Sequence, residues 1–196
     1  MAKINKNTQY YHGYKFRIYP TDEQKEFIEK CINTARFVYN WAIDQEEKQY
    51  QKLVNGEVDK KDGFLRLYDL AKRFTEFRNL DENSWLLQFP VGICREAMIN
   101  CIRAYKNWYN KYCHKPHFKS KKTAKPVCHP RADRMYIKGN MLQIEGLSKD
   151  LIKIDNRILE YDFSNAHFTN QNISRDTLGN YYISFSIVKE DRKSVV

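Results

Sequence analysis

The sequence predicts an α+β fold in which a small antiparallel β-barrel is split by an inserted helical domain. Helical periodicity runs from Thr21 to about Tyr112, short alternating runs replace it after Pro116, and one alternating run, His12 to Tyr19, stands alone ahead of the helices. A strand with no neighbour is an aggregation liability, so His12 to Tyr19 is expected to pair with the C-terminal strands. The helices then become an insertion, with a split sheet domain at residues 1–20 and 115–196 and a helical domain at 21–114. Several short strands with basic and aromatic faces favour a barrel of the oligonucleotide-binding kind over a helix-covered parallel sheet.

In the opening strand Tyr14, Phe16 and Ile18 share one face, and Lys15, Arg17 and Tyr19 the other. Pro20 stops it. Thr21 followed by Gln24 is a capping-box pattern, after which Phe27, Ile28, Cys31, Ile32, Ala35, Val38, Tyr39, Ala42 and Ile43 predict a long helix ending near Asn55-Gly56. Arg36, Tyr39 and Asn40 put polar groups beside that stripe. A polar connector, Glu57 to Gly63, leads to a second amphipathic stretch from Phe64 to Phe77, and Asp81 to Ser84 breaks it. Trp85 to Pro90 is an apolar turn. From Val91 a third helix places Cys94, Met98, Cys101, Ile102, Tyr105, Trp108, Tyr109 and Tyr112 towards the core and Arg95, Arg103, Lys106 and Lys111 on another face. Beyond it, strands are expected at Met135 to Lys138, Met141 to Glu145, Leu151 to Ile154, Ile158 to Phe163, His167 to Ser174 and Tyr181 to Val188. Gly139-Asn140 and Gly179-Asn180 supply turns.

Charge narrows the function. Between Cys101 and Lys138 stand eight Lys and three Arg against one acid, Asp133, so this segment carries the whole excess of +10 and the remainder balances. Interleaved aromatics distinguish it from a loop charged for solubility and point to a polyanion, of which a phosphate backbone is the commonest. Five cysteines, odd in number and scattered, suit reduced thiols in a cytoplasm, of a prokaryotic cell or a phage-infected host, rather than a disulfide framework. No apolar run is long enough to cross a membrane, and Met1 to Thr8 lacks a signal-peptide core.

Cys113, His114, His117, Cys128 and His129 include metal-ligand residue types, but the paired spacing of zinc sites is missing, so no metal is assigned. The seven Gly form neither a GxGxxG nor a Walker pattern, and no Ser or Cys sits in a nucleophile motif, so neither a cofactor nor a catalytic residue is assigned.

Tyr14-Lys15-Phe16-Arg17-Ile18-Tyr19-Pro20-Thr21 with Gln24, then Arg36-Phe37-Val38-Tyr39-Asn40, Ser84-Trp85-Leu86, Ala104-Tyr105-Lys106-Asn107-Trp108 and Pro116-His117-Phe118-Lys119-Ser120-Lys121, stand in an order that resembles the N-terminal half of TnpB. Asn180-Tyr181-Tyr182-Ile183-Ser184-Phe185 is similar to the strand leading into that family's RuvC nuclease domain. TnpB proteins are transposon-encoded RNA-guided nucleases related to compact type V CRISPR effectors. The resemblance implies a barrel-like wedge domain split by a helical recognition domain, together holding a structured guide RNA and a target duplex. It also implies that Lys15 and Arg17 face RNA. The nuclease domain would begin at Lys189 to Val196, and neither a carboxylate cluster for two-metal hydrolysis nor a Cys-x-x-Cys pair is present. Where the family reads a short DNA motif, this chain has Pro90-Val91-Gly92-Ile93-Cys94-Arg95, and only Arg95 offers a bidentate base contact.

The expected function is therefore a non-catalytic RNA-binding protein that grips a structured, guide-type RNA. The expected contacts are Lys15, Arg17, Arg36, Tyr39, Asn40, Arg103, Lys106, Lys111, Lys115, Phe118, Lys119, Lys121, Lys122 and Lys125, with Arg95 a DNA-reading candidate. Two alternatives stand beside it. One is an inhibitor that competes for the guide of an RNA-guided nuclease or occupies that nuclease. The other is a repressor that binds duplex DNA through the third helix.

Overall fold

The computed structural model describes residues 9–147, 149–163 and 166–190. Its elements are β1 (Gln9–Tyr19), α1 (Asp22–Val54), α2 (Leu67–Arg78), α3 (Val91–Tyr109), β2 (Val127–Cys128), β3 (Tyr136–Lys138), β4 (Met141–Gln143), β5 (Ile152–Ile154), β6 (Phe168–Arg175) and β7 (Tyr181–Glu190). Short 3-10 segments lie at Lys60–Asp62, Asp81–Gln88, Ala132–Arg134 and Asn156–Glu160. The fold is α+β with antiparallel strand pairing, as the periodicities predict. The expectations resting on residues 1–8 and 191–196 concern positions outside the described ones. Two compact units are present, Met1–Gln24 with Pro130–Val196, and Lys25–His129.

In the first unit the strands run β6-β7-β1-β5-β4-β3, so the isolated N-terminal strand lies in the interior of the sheet. β1 pairs along ten positions of β7, from Gln9 opposite Glu190 to Ile18 opposite Tyr181, and Ile18 and Tyr19 also face Ile154 and Lys153 of β5. Because side chains alternate, this register puts Phe16, Ile18, Ile183, Phe185 and Ile154 on one buried face. Tyr161 and Phe163 cover it, with Phe163 ring centroids 5.1 Å from Tyr14 and 5.2 Å from Phe185 in edge-to-face contact.

The strand expected over Ile158 to Phe163 is instead a 3-10 turn followed by this covering loop. Asp155 decides it: its Oδ1 accepts the Arg157 N–H at 3.0 Å, capping the turn, and Ile158 is buried beneath. Turn chemistry holds elsewhere. Gly139 takes φ 59° between Lys138 and Met141, and Asp176 gathers the N–H groups of Leu178 and Asn180 at 2.9 and 2.8 Å in the loop between β6 and β7.

The capping box forms as the sequence predicts. The Gln24 N–H donates to Thr21 Oγ1 at 3.3 Å, and the Thr21 N–H donates to Gln24 Oε1 at 3.0 Å. The buried Gln24 side chain also donates through Nε2 to the carbonyls of Asp150 and Leu151, at 3.1 and 3.3 Å. One residue therefore starts α1 and ties down the approach to β5.

In the second unit the inward stripe of α1 from Ile28 to Ile43 is buried, as are Leu70 and Phe74 of α2 and Ile93, Cys94, Ala97, Met98, Cys101 and Tyr105 of α3. All five cysteines are free thiols and only Cys113 is exposed. Burial, with Glu46 a second cause, pushes the Cys101 thiol up to about 12, so it packs as a small apolar group. Tyr109 and Tyr112, expected on the packing face, are exposed. Tyr109, the last residue of α3, still meets the Phe64 ring edge-to-face at 5.6 Å, whereas Tyr112 lies past the helix end: the Lys111 N–H donates to the Trp108 carbonyl at 2.8 Å and the Tyr112 N–H to that of Asn107 at 2.9 Å, with Lys111 left-handed at φ 61°. This Schellman closure is made without a glycine, the residue that usually signals it.

Glu46 is the buried charge of this unit. Only 1% exposed, it accepts the Leu65 N–H through Oε2 at 3.1 Å and so holds the end of the α1–α2 connector. Burial raises its pKa from 4.5 to about 7, against the opposing hydrogen bond from Leu65 and the charge of Arg73.

Two outcomes are expected. Gln24→Ala removes one cap and two further hydrogen bonds and should cost about 2 kcal/mol in urea unfolding. For Glu46, the folded state keeps its proton up to about pH 7 while the unfolded chain releases it near 4.5. Its contribution is therefore full below the unfolded value and lost as pH rises through the folded one. Glu46→Gln retains an oxygen for the Leu65 N–H, so the variant should match wild type near pH 4 and exceed it by about 1–3 kcal/mol at pH 8. Parallel unfolding curves across that range would refute the assignment.

Candidate nucleic-acid interface

In the helical unit, the polar edge of α1 meets the segment after α3. Asn40 clamps Lys119 by its backbone: Asn40 Nδ2 donates to the Lys119 carbonyl at 3.0 Å, and the Lys119 N–H donates to Asn40 Oδ1 at 2.8 Å. A side-chain amide paired to a main chain in this way fixes the loop as a strand neighbour would. The clamp sets Lys119 Nζ 3.5 Å from the centre of the Tyr39 ring. Burial of that end lowers the Lys119 pKa although the residue as a whole is exposed. The Tyr39 hydroxyl is in turn pushed up to about 12 by burial. Arg36, one turn before Tyr39, is half-buried and donates to Asn33 Oδ1 at 3.0 Å.

Lys115 is engaged within the unit. Its Nζ lies 2.7 Å from Glu47 and 5.3 and 5.5 Å from the ring centres of Tyr50 and Trp108. The hydrogen bond from this ammonium holds the Glu47 carboxyl below the usual range. By contrast Arg103, Lys106, Lys111, Lys121, Lys122 and Lys125 are exposed and make no ion pair with the described residues. Arg95, Arg103 and Lys106 fall within roughly 80° of one another around α3, forming one basic face. Phe118 is 60% exposed beside these cations.

The sheet unit carries a second basic surface. Opposite the buried face of β1, Lys15 lies with Nζ 4.4 Å from the centre of the Tyr182 ring, and Arg17 packs over Tyr19 at 5.3 Å. The Arg17 guanidinium also donates to Asn180 Oδ1, and the Tyr182 hydroxyl to Asp176 Oδ2 at 3.1 Å. Register extends this face: Tyr19 lies opposite Lys153, Lys153 opposite Met141, and Met141 opposite Lys138, with Tyr136 two residues earlier. Lys138, Lys153 and the two tyrosines Tyr19 and Tyr136 are exposed. Sequence reasoning named Lys15 and Arg17 but missed these four and Tyr182. Their alternation was visible in each short run, whereas their alignment depends on pairings between distant strands.

Among the described residues no three His, Cys, Asp or Glu side chains are arranged to hold a metal ion, and no helix is long and apolar enough to cross a membrane.

Comparison with known proteins supplies kinship. Residues 10–54 match a family model described as a helix-turn-helix domain. In this structure those residues form a strand and one uninterrupted helix, so the description does not fit the local geometry. A protein of Streptomyces pristinaespiralis is 24% identical over 175 residues, covering 88% of this chain and 40% of that protein. InsQ of Escherichia coli (strain K12) is 26% identical over 109 residues, covering 56% of this chain and 25% of InsQ. Both are provisionally designated RNA-guided DNA endonucleases, and the chain spans less than half the length of either. The virulence protein VsdF of Salmonella dublin is 31% identical over 96 residues, covering 49% of this chain and 80% of VsdF. The motifs, their order and these matches together place the chain in the TnpB-like family, aligned with its N-terminal part.

Proposed function

We propose that this chain is a nucleic-acid-binding protein whose ligand is a structured, guide-type RNA, and that its own residues bind rather than cut. The observation that carries the proposal is the set of exposed cations Arg103, Lys106, Lys111, Lys121, Lys122 and Lys125, none ion-paired to a described residue. Intramolecular neutralisation is available elsewhere, as in Lys30 with Glu26 and Lys48 with Asp44. Unneutralised charge gathered in one sequence segment is what a phosphate backbone requires. Exposed Phe118, and the tyrosines of the sheet face, add rings on which unpaired bases stack for about 1–3 kcal/mol each, which suits RNA with loops better than continuous duplex. The names of two relatives, which designate them RNA-guided, support the same class of ligand.

Hydrolysis by two metals needs converging carboxylates, and the proposal assigns no such step to these residues. Duplex DNA is the competing ligand, through Arg95 and the basic face of α3. The helix-turn-helix description would favour it, but the single helix α1 does not supply that motif's geometry.

Lys121→Glu with Lys122→Glu is the decisive variant, because both side chains are exposed and unpaired and the fold does not depend on them. Against a fluorescein-labelled RNA hairpin with a single-stranded arm, at about 0.15 M salt, the double variant should lose at least about 30-fold in affinity by anisotropy. Its unfolding midpoint should be unchanged. Equal wild-type affinity for the hairpin and for random duplex DNA would replace the RNA reading with the repressor, and unaltered affinity in the variant would remove the basic segment from the interface.

A further inference from the structure

Between α1, α3 and the segment 119–129 of the helical unit lies a recess of about 40 Å³, lined by both apolar and polar side chains. Ile32, Ala35, Ile93 and Ala97 form part of the apolar wall. Arg36, Tyr39, Asn100, Lys119, Lys125 and His129 form the polar one. Three of these are cations, and no acidic residue is among the described residues that line the recess. Like charges held around a small concave space repel, and an anion placed among them relieves that repulsion.

We propose that this recess is a seat for one backbone phosphate of the bound polynucleotide, with Arg36 as the principal donor and Lys119 as a preset point charge. The inference rests on the RNA-binding reading above and specifies where one phosphate is recognised. The recess has room for an oxyanion group among these side chains. A planar guanidinium presents paired N–H donors to two phosphate oxygens, which a lysine does not. Arg36 is directed by its hydrogen bond to Asn33, and its stem is half-buried on α1. Lys119 is fixed by two constraints: Asn40 holds its backbone and the Tyr39 ring holds its ammonium. The lowered Lys119 pKa agrees with a charge that is partly desolvated before any ligand arrives. Lys121, Lys122 and Lys125 continue along the same exposed segment, so phosphates on either side of the seated one also meet cations. Asn40 touches no ligand in this scheme and is a positioning residue.

The test measures affinity for the RNA hairpin as a function of salt, because each neutralised phosphate contributes about 0.7 to 0.9 to the slope of log K against log salt. Arg36→Gln should weaken binding about 10-fold and reduce the slope by about one phosphate's worth, with Arg36→Lys restoring the slope but only part of the affinity. Asn40→Ala, which leaves every charge in place, should weaken binding while the slope stays within error. Circular dichroism melts of all three variants check that the unit stays folded. A slope unchanged in Arg36→Gln, while Lys121→Glu with Lys122→Glu still weakens binding, would overturn the seat and leave the RNA reading standing. If neither variant weakens binding, both fall. Inorganic phosphate supplies the remaining arm, read by the Arg36 Nε–H resonance. A shift with phosphate and none with the hairpin would identify a small-anion site and overturn the backbone assignment.

Discussion

The structure depends on β1 finding its partners from the opposite end of the chain. Arg17 lies opposite Tyr182 and Ile18 opposite Ile154, so each pairing closes a loop that contains the helices and the basic segment. Loop closure over so many residues costs only slowly increasing entropy, and ten matched positions along β7 offset it. The same register sorts function from core. With Phe16 opposite Ile183, the apolar residues face inward while Lys15 and Arg17 face out; a slip of one residue would bury both cations and expose Phe16 and Ile18. Any change that loosens the sheet core therefore also scatters the basic face.

Elements with a strong local period were legible in the sequence. The α1 stripe, the Thr21–Gln24 box and the alternation of Tyr14 to Tyr19 each occupy one contiguous stretch and emerge as read. Misreadings came where a single polar contact overrides a pattern. Ile158 to Phe163 alternates well enough for a strand, yet Asp155 caps a 3-10 turn there and Tyr161 and Phe163 are spent covering the aromatic face. Tyr112 continues the helical spacing of α3, but a lysine in left-handed geometry closes the helix before it can pack. Of the candidate site, the residue types were visible in the sequence and their partnerships were not. Nothing in the spacing of Asn40 and Lys119, 79 residues apart, announces that one holds the other.

Counting lysines overstates what the basic segment can present to a ligand. Lys115 is tied to Glu47 and packed near two rings, so its charge serves the helical unit, and removing it would leave the Glu47 carboxylate without its cation. Lys119 is partly committed to Tyr39. What remains available in the helical unit are Lys111, Lys121, Lys122 and Lys125 in the segment and the α3 face of Arg103 and Lys106, all exposed. Net charge by itself speaks to long-range attraction, whereas the pattern of internal pairing decides which groups meet the ligand.

These groups divide into two physical kinds, and the division bears on specificity. Lys121, Lys122 and Lys125 end in exposed side chains that lose rotamer freedom on binding and neutralise any phosphate that approaches, so they add affinity with little discrimination. Arg36 and Lys119 are of the other kind: Arg36 stands on the long helix α1 and donates to Asn33, while Asn40 and the Tyr39 ring hold Lys119, so both positions are set before a ligand arrives. Preorganised groups lose less on binding and tolerate less error in where a phosphate is placed, so they respond to the shape of a phosphate backbone rather than to charge alone. Discrimination therefore belongs to α1 and its clamp on Lys119, and the surrounding lysines raise the strength of whatever α1 accepts.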